Sequence, residues 1–360
     1  VSTRYKMKLS GLTGLYNYFM INGEAWLSKE GIAAFLVPSE FLDVNYGVTV
    51  KSFLLENVRL CRIHLYESAD VQFEDALVSS AVVWYRKGRP AADSVVELSY
   101  GGSLTNPAHS RTVALSTLDP AAKWTRLIRK GGAVPVHVGD ESRFMLKDFF
   151  EVKRGLATGD NSFFVLSEQQ ANEYGITQAS LTPVLPSPRY LKADIIESDN
   201  QGVPINTDRL FLLNCRQTPE ILATDHPETW QYLQKGVGTV SKKYLCNSRK
   251  LWYLQEVREP APVLCTYMGR GIKGSNQPFR FVLNQSKAIA TNSYLMLYPK
   301  AFWRQRAAQN PSLMREVWQV LSEITTDDLT TEGRTYGGGL EKIEPSELGK
   351  VPVRRLAELL

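Results

Sequence analysis

Residues 153–162 read KRGLATGDNS: two cations, two glycines and two short polar side chains, Thr158 and Asn161. Gly155 and Gly159 let a backbone approach a ligand closely, and N–H groups in such a turn can cradle a phosphate. Lys153 and Arg154 would add charge-assisted contacts. Arg and Asn also read guanine and adenine edges in a major groove. The same residues suit a solvated hairpin. Further along, Arg189, Tyr190 and Lys192, then Arg249, Lys250, Trp252 and Tyr253, interleave bases with aromatics. That pattern fits a ligand offering both phosphates and base faces. Taken singly, each residue fits a surface ion pair or a core aromatic equally well. Arg334, Tyr336, Gly337, Gly338 and Gly339 form a glycine run flanked by a cation and a ring. It reads either as a phosphate contact or as a flexible connection.

Most familiar catalytic signatures are absent. There is no GxxxxGK[ST] and no GxSxG elbow. His64, His109, His137 and His226 are scattered, which argues against a histidine triad. Glu74 and Asp75 are adjacent, so in an extended segment they point to opposite faces and make no acid/base pair. Cys61, Cys215, Cys246 and Cys265 show no metal-ligand spacing and read as thiols of a reducing compartment. No metal site is expected. No stretch reaches the ~20 apolar residues of a membrane span, and no secretory signal is visible. A cytoplasmic protein with no membrane partner is the expectation. A net charge of +5, from 42 Lys and Arg against 37 Asp and Glu, suits a polyanion but also an ordinary enzyme.

The elements that would position these residues fall into two regions. Residues 12–28 carry Leu15, Phe19, Met20, Trp26 and Leu27 at helical spacing. An unbroken apolar run from Ile32 to Val37, stopped by Pro38, reads as a strand buried on both faces in a largely parallel sheet. Ser39 could cap a short turn. Residues 47–57 read as a helix, and 58–66 and 77–85 as strands, which together make an α/β region. Residues 94–115 look like strands turning at Gly101 and Gly102, and 119–130 like a short helix around Trp124, Leu127 and Ile128. From about 148, short apolar runs such as 163–166, 209–213, 261–268 and 294–299 alternate with turns. Residues 311–324 read as a helix with Leu313, Val317, Val320 and Leu321 on one face.

Three segments carry a resemblance when taken in order: GLYNYF (14–19), GIAAFLVPSEFL (31–42) and VQFEDALVSSAVVWYRK (71–87). Leu15, Tyr16 and Phe19, then Val37 and Pro38, then Phe73, Val78 and Ser79, resemble the middle and late motifs of the TaqI-like (gamma-class) N6-adenine DNA methyltransferases. The likeness continues through 153–166, 189–196, 249–254, 284–299 and 334–353, which look like the target-recognition region of those enzymes. It covers nearly the whole chain. The family's Gly-rich cofactor loop and N-P-P-Y tetrapeptide, which precede L-Y-x-x-F, do not occur in these 360 residues. With Val1 as first residue and the α/β pattern opening in mid-course, those motifs are expected upstream.

The resemblance implies an incomplete Rossmann-like methyltransferase fold of α/β class followed by an α+β target-recognition domain. The expected limits are residues 1–92 for the C-terminal half of the catalytic domain, 93–147 for connecting strands and a helix, and 148–360 for DNA recognition. It implies a site-specific adenine methyltransferase that uses S-adenosylmethionine within a restriction–modification system. This fragment is expected to be inactive alone, with a nuclease domain or subunit upstream. No catalytic residue is assigned. An enzyme acting on adenine N6 extrudes the base, and Phe73 would stack on it; the other reading is a core Phe at a strand end. Tyr16 and Phe19, three apart on one helical face, would wall the cofactor pocket or simply pack. DNA contacts are expected from Lys153, Arg154, Gly155, Thr158, Gly159, Asn161, Arg189, Tyr190, Lys192, Arg249, Tyr253, Arg334, Tyr336, Gly337 and Gly338. The alternative function is a non-enzymic DNA-recognition subunit working with a separate catalytic chain.

Overall fold

The structure, a computed structural model, describes residues 2–73, 78–130, 144–270 and 277–359. The chain divides into two compact units, Val1–Glu141 with Arg334–Leu340, and Ser142–Gly333 with Glu341–Leu360. The expected third region is therefore interrupted, because Arg334–Leu340 groups with the first unit.

The first unit runs α1 (Ser2–Tyr5), α2 (Leu15–Trp26), β1 (Ile32–Pro38), α3 (Gly47–Glu56), β2 (Val58–Leu65), β3 (Ser80–Lys87), β4 (Val95–Gly102), β5 (Pro107–Ala114) and α4 (Trp124–Lys130). Its five strands form one sheet in the order β1-β3-β2-β4-β5. Only β2 and β4 pair in parallel; the other pairs are antiparallel. Alternation decides which face is covered. Phe35 and Val37 of β1, Ala81, Val83 and Tyr85 of β3, Ile63 and Leu65 of β2, and Val96 and Leu98 of β4 belong to one core. Met20, Ile21, Phe53, Leu54 and Trp124 from the helices complete it.

The Ile32–Val37 run departs from expectation. It is an edge strand, antiparallel to its one neighbour, with Ile32 53% and Leu36 44% exposed. An unbroken apolar run does not report how many faces are covered; here alternate residues point away from the core. The fold is thus mixed α/β rather than a largely parallel sheet. Ser39 opens the short helix Ser39–Leu42 without a side-chain cap. Gly47 is required where α3 begins, since a Cβ there would lie 1.8 Å from the Phe41 carbonyl oxygen. One turn on, the buried Lys51 donates its Nζ protons to the carbonyls of Leu42 (2.9 Å) and Ala122 (2.6 Å).

The second unit contains α5 (Leu146–Phe149), β6 (Phe150–Arg154), α6 (Asn161–Phe164), β7 (Val165–Ser167), α7 (Glu168–Glu173), β8 (Leu181–Val184), β9 (Ile195–Ile196), β10 (Leu210–Leu213), α8 (Pro219–Asp225), α9 (Pro227–Gln234), α10 (Tyr244–Asn247), β11 (Val263–Thr266), β12 (Met268–Arg270), β13 (Phe281–Asn284), β14 (Tyr294–Pro299), α11 (Ala301–Gln309) and α12 (Leu313–Ser322). Strands β7-β10-β8 form one sheet and β6-β14-β11-β13-β9 another, antiparallel except for β13 with β9. Leu313, Val317 and Leu321 of α12 are buried at successive helical turns, as their spacing requires. The run 163–166 is not one strand. Asp160 accepts from the Ser162 amide and caps α6, so Phe163 and Phe164 are helical and pairing starts at Val165.

Candidate functional site

In the first unit a polar cluster gathers residues far apart in sequence. Glu40 accepts from the Tyr46 hydroxyl at 3.3 Å and from the Tyr336 hydroxyl at 3.5 Å, and Arg334 reaches it at 3.9 Å. Burial pushes the Tyr46 hydroxyl well above the ordinary phenol range and raises that of Tyr16, so both stay protonated. Tyr16 lies edge-on to Phe41, with ring centroids 6.5 Å apart. Its neighbour Asn17 is fully buried, with its side chain beside the Tyr16 hydroxyl. A cleft of about 490 Å³ is lined by Lys8, Ser10, Asn45, Tyr46, Thr49 and Arg334, among others. Phe19, 52% exposed, shares an outward stripe of α2 with the exposed Leu15 and Trp26.

Phe73 is half-buried in the irregular connection between β2 and β3. Glu74 and Asp75 beside it, and His137, lie outside the described residues. The segment from Arg334 is laced to this connection. The Gly338 amide donates to the Ser68 carbonyl (2.7 Å), the Ser79 hydroxyl to the Thr335 carbonyl (3.0 Å), and Arg129 Nη1 to Thr335 Oγ1 (3.0 Å). Tyr16, Phe73, Arg334, Tyr336, Gly337 and Gly338 thus share one unit. Sequence reasoning missed Glu40 and Tyr46, because single polar residues beside an apolar run carry no motif.

In the second unit the 155–161 loop is built around its own chain. A Cβ at Gly155 would lie 2.1 Å from the Thr291 carbonyl oxygen, so this glycine serves close backbone packing. The buried Thr158 donates to Asn161 Oδ1 (2.6 Å) and accepts from the Asp160 amide. Lys243 Nζ meets Asp160 Oδ2 at 2.7 Å, and Arg249 Nη2 donates to the Ala157 carbonyl at 2.9 Å. Partial burial opposes ionisation of Asp160, but the bonds from Lys243 and Ser162 outweigh it and hold the carboxyl below its usual range. Lys153 pairs with Glu151 at 3.0 Å. Arg154 is exposed, with its guanidinium 4.1 Å over the Tyr267 ring and its Nε 3.3 Å from the Asn292 carbonyl. Arg189, Tyr190 and Lys192 are exposed, the Arg189 guanidinium lying 5.8 Å from the Tyr190 ring centre. Tyr253 requires a correction. It is 1% exposed and its hydroxyl donates to the Gln217 carbonyl, so it is a core residue rather than an outward ring. Tyr244, the most exposed large apolar or aromatic side chain among the described residues, was not singled out from sequence, since a lone Tyr between Lys243 and Leu245 has no periodic signature.

All four cysteines are free thiols. Among the described residues no three His, Cys, Asp or Glu side chains group to hold a metal ion. No described helix is long and apolar enough to cross a membrane.

The comparisons with known proteins define a class, the methyltransferases of Type II restriction–modification systems. Residues 122–359 match the family described as the C-terminal domain of Type II methyltransferase M.Eco57I, and residues 1–72 match the Eco57I restriction–modification methylase family. The chain belongs to this Eco57I family. It is 25% identical over 370 aligned positions to Type II methyltransferase M.AccI of Acinetobacter calcoaceticus, covering 97% of this chain and 64% of the relative. To Type II methyltransferase M.XamI of Xanthomonas campestris pv. amaranthicola it is 24% identical, covering 99% and 63%. The chain therefore spans a little under two thirds of these relatives. The Type IIL restriction–modification enzyme MmeI, solved in complex with DNA, aligns at 11% identity with a TM-score of 0.43, covering 81% of this chain and 36% of that one.

Proposed function

We propose that this chain is the cofactor-wall and target-recognition portion of a site-specific DNA methyltransferase that moves a methyl group from S-adenosylmethionine to adenine N6. The single observation that carries the reading is the family match, which reaches into both units. We place the enzyme in the cytoplasm, in a restriction–modification system with duplex DNA as partner and a nuclease upstream. The gamma class and the adenine rest on the order of Leu15, Tyr16, Phe19, Val37, Pro38, Phe73 and Val78. The fold reading is that β1 to β3 with α2 and α3 are the end of a Rossmann-like catalytic domain and that residues 148–333 recognise DNA. The buried Asn17 and the half-buried Tyr16 beside it fit one wall of a pocket for a polar cofactor. When bound, S-adenosylmethionine supplies the electrophilic methyl. This chain's Tyr16 and Phe19 would orient the cofactor, and Phe73 would face the extruded adenine. Lys153, Arg154, Arg189, Tyr190 and Lys192 are the proposed duplex contacts. Gly155, Thr158, Gly159, Asn161 and Arg249 shape the loop beside them, and Arg334, Tyr336, Gly337 and Gly338 border the first-unit cluster.

Positioning of the amino group by N-P-P-Y is outside these 360 residues, so the chain alone is proposed to be inactive. The experiment is methyl transfer from tritiated S-adenosylmethionine to duplex DNA, with the product nucleoside identified by mass spectrometry. The chain alone should give background. The polypeptide expressed with its upstream coding sequence should give N6-methyladenine. Methylcytosine as product would overturn the adenine assignment, and turnover by the chain alone would overturn the proposed inactivity.

A further inference from the structure

Residues 235–250 read KGVGTVSKKYLCNSRK, carrying Lys235, Lys242, Lys243, Arg249 and Lys250 with no Asp or Glu. This one segment holds a net charge equal to that of the whole chain, +5. Its acidic neighbours are Asp160, engaged by Lys243, and Glu256, which acts on Arg249. Lys242 and Lys250 are exposed, with no ion pair among the described residues. Between the cations stands Tyr244, 90% exposed at the start of α10. A phenol ring standing in water is unfavourable by the apolar area it exposes, and this one has no apolar cover.

The segment is firmly mounted. A Cβ at Gly236 would lie 2.5 Å from Trp252 and 2.8 Å from Phe163, so its start rests on an aromatic block. In that block Phe163 stacks on Tyr232 with centroids 4.9 Å apart. At the far end Cys246 is fully buried beneath Gly159, and Arg249 is bonded to the Ala157 carbonyl. An aromatic tip on a braced base loses little conformational entropy on binding. Cations around such a tip suit phosphates lying on either side of a groove.

We propose that Lys235–Lys250 is a duplex-DNA contact element, with Lys242 and Lys250 on phosphates and Tyr244 as the tip that enters the groove. The inference rests on the proposed DNA substrate and adds Tyr244 and Lys242, which the basic and aromatic motifs of the sequence did not name, to Lys250, which they did. Lys243 acts differently, as the positioning residue that ties α10 to Asp160.

The test is fluorescence anisotropy of the full chain with a labelled 30-base-pair duplex of mixed sequence, at several salt concentrations, with heparin as a second polyanion. Tyr244→Ala should weaken duplex binding about tenfold, as for loss of one aromatic contact. It should leave heparin binding and thermal unfolding unchanged, because so exposed a ring has few neighbours. The double variant Lys242→Ala/Lys250→Ala should flatten the log–log salt dependence by about two, close to 0.9 per phosphate contact. If the wild type binds and both variants match it, the proposal is overturned while the DNA reading stands. If Tyr244→Ala weakens duplex and heparin equally, the groove role is overturned. A wild type that ignores the duplex at low salt refutes the DNA reading, and this inference with it.

Discussion

Gly159→Ala isolates the joint on which the braced loop depends. Gly159 has φ +89, and a Cβ there would lie 2.7 Å from Cys246 Sγ and 3.6 Å from both Cys246 N and Leu245 Cβ. Positive φ in a residue with a Cβ costs roughly 1–2 kcal/mol. Forcing an extra methyl against a well-packed neighbour costs typically about 1–3 kcal/mol. Cys246 is fully buried, with its sulfur 3.9 Å from the Thr158 carbonyl, so it has little room to retreat. The lost freedom of the unfolded chain returns about 0.4–1 kcal/mol. The net expectation is a destabilisation of about 2–4 kcal/mol, read as a shift of the urea midpoint of the second unit. Gly238→Ala is the internal control. Gly238 has φ +80 but nothing within 4 Å, so it carries only the backbone cost. The variants should therefore differ by the packing cost alone, and adding Cys246→Ala should recover part of the loss in Gly159→Ala. Equal losses at the two glycines, or no recovery, would refute the Cys246 contact as the reason for a glycine at 159.

Two further outcomes follow from the first unit. On the proposed methyltransferase reading, in a polypeptide that carries the cofactor motifs as well, Phe73→Ala should lower kcat/KM roughly tenfold, for one lost stack of about 1–3 kcal/mol. Thermal unfolding should change little, because Phe73 is half-buried in an irregular connection; earlier unfolding with normal turnover would make it a core residue. Lys51 is 1% exposed, and burial, partly opposed by Asp43 and Asp119, lowers its pKa to about 8. Below that value Lys51 is charged both folded and unfolded. Between it and the ordinary ~10.4 the unfolded chain holds the extra proton, so stability rises with pH. From pH 8 to 9.5 the first unit should gain up to about 2 kcal/mol, at ~1.36 kcal/mol per unit. A gain that is missing, or that survives in Lys51→Met, would contradict the assignment.

Long periodic segments were legible in the sequence because burial there follows one repeating rule. The helices at 15–26, 47–56 and 313–322 lie within the stretches that their spacing marks. The hairpin of β4 and β5 turns at residues 103–106, just past the expected Gly101 and Gly102, which end β4 at positive φ with Gly102 still paired to Pro107. What spacing does not encode is neighbourhood. The Ile32–Val37 run contains nothing to say that it would be an edge, since that depends on which strands arrive later in the chain. Tyr253 shows the same limit for side chains. Its sequence neighbours Arg249 and Lys250 suggest a surface, but its ring is enclosed by Trp230 and Trp252.

The candidate site divides along the same line. Tyr16 and Phe73 are proposed from motif order alone. Residues whose part depends on a distant partner could not be named that way. Glu40 matters because Tyr46, Tyr336 and Arg334 converge on it from opposite ends of the chain. The two glycines of KRGLATGDNS invite a phosphate-loop reading, yet each faces its own protein. Gly155 meets the Thr291 carbonyl and Gly159 meets the Cys246 sulfur. A loop whose glycines are committed to internal packing keeps its backbone for shape and leaves contact to the side chains it braces. On the proposed DNA reading, recognition in this unit would fall to exposed residues such as Arg154, Arg189, Tyr190 and Tyr244, at the points where rigid backbone meets solvent.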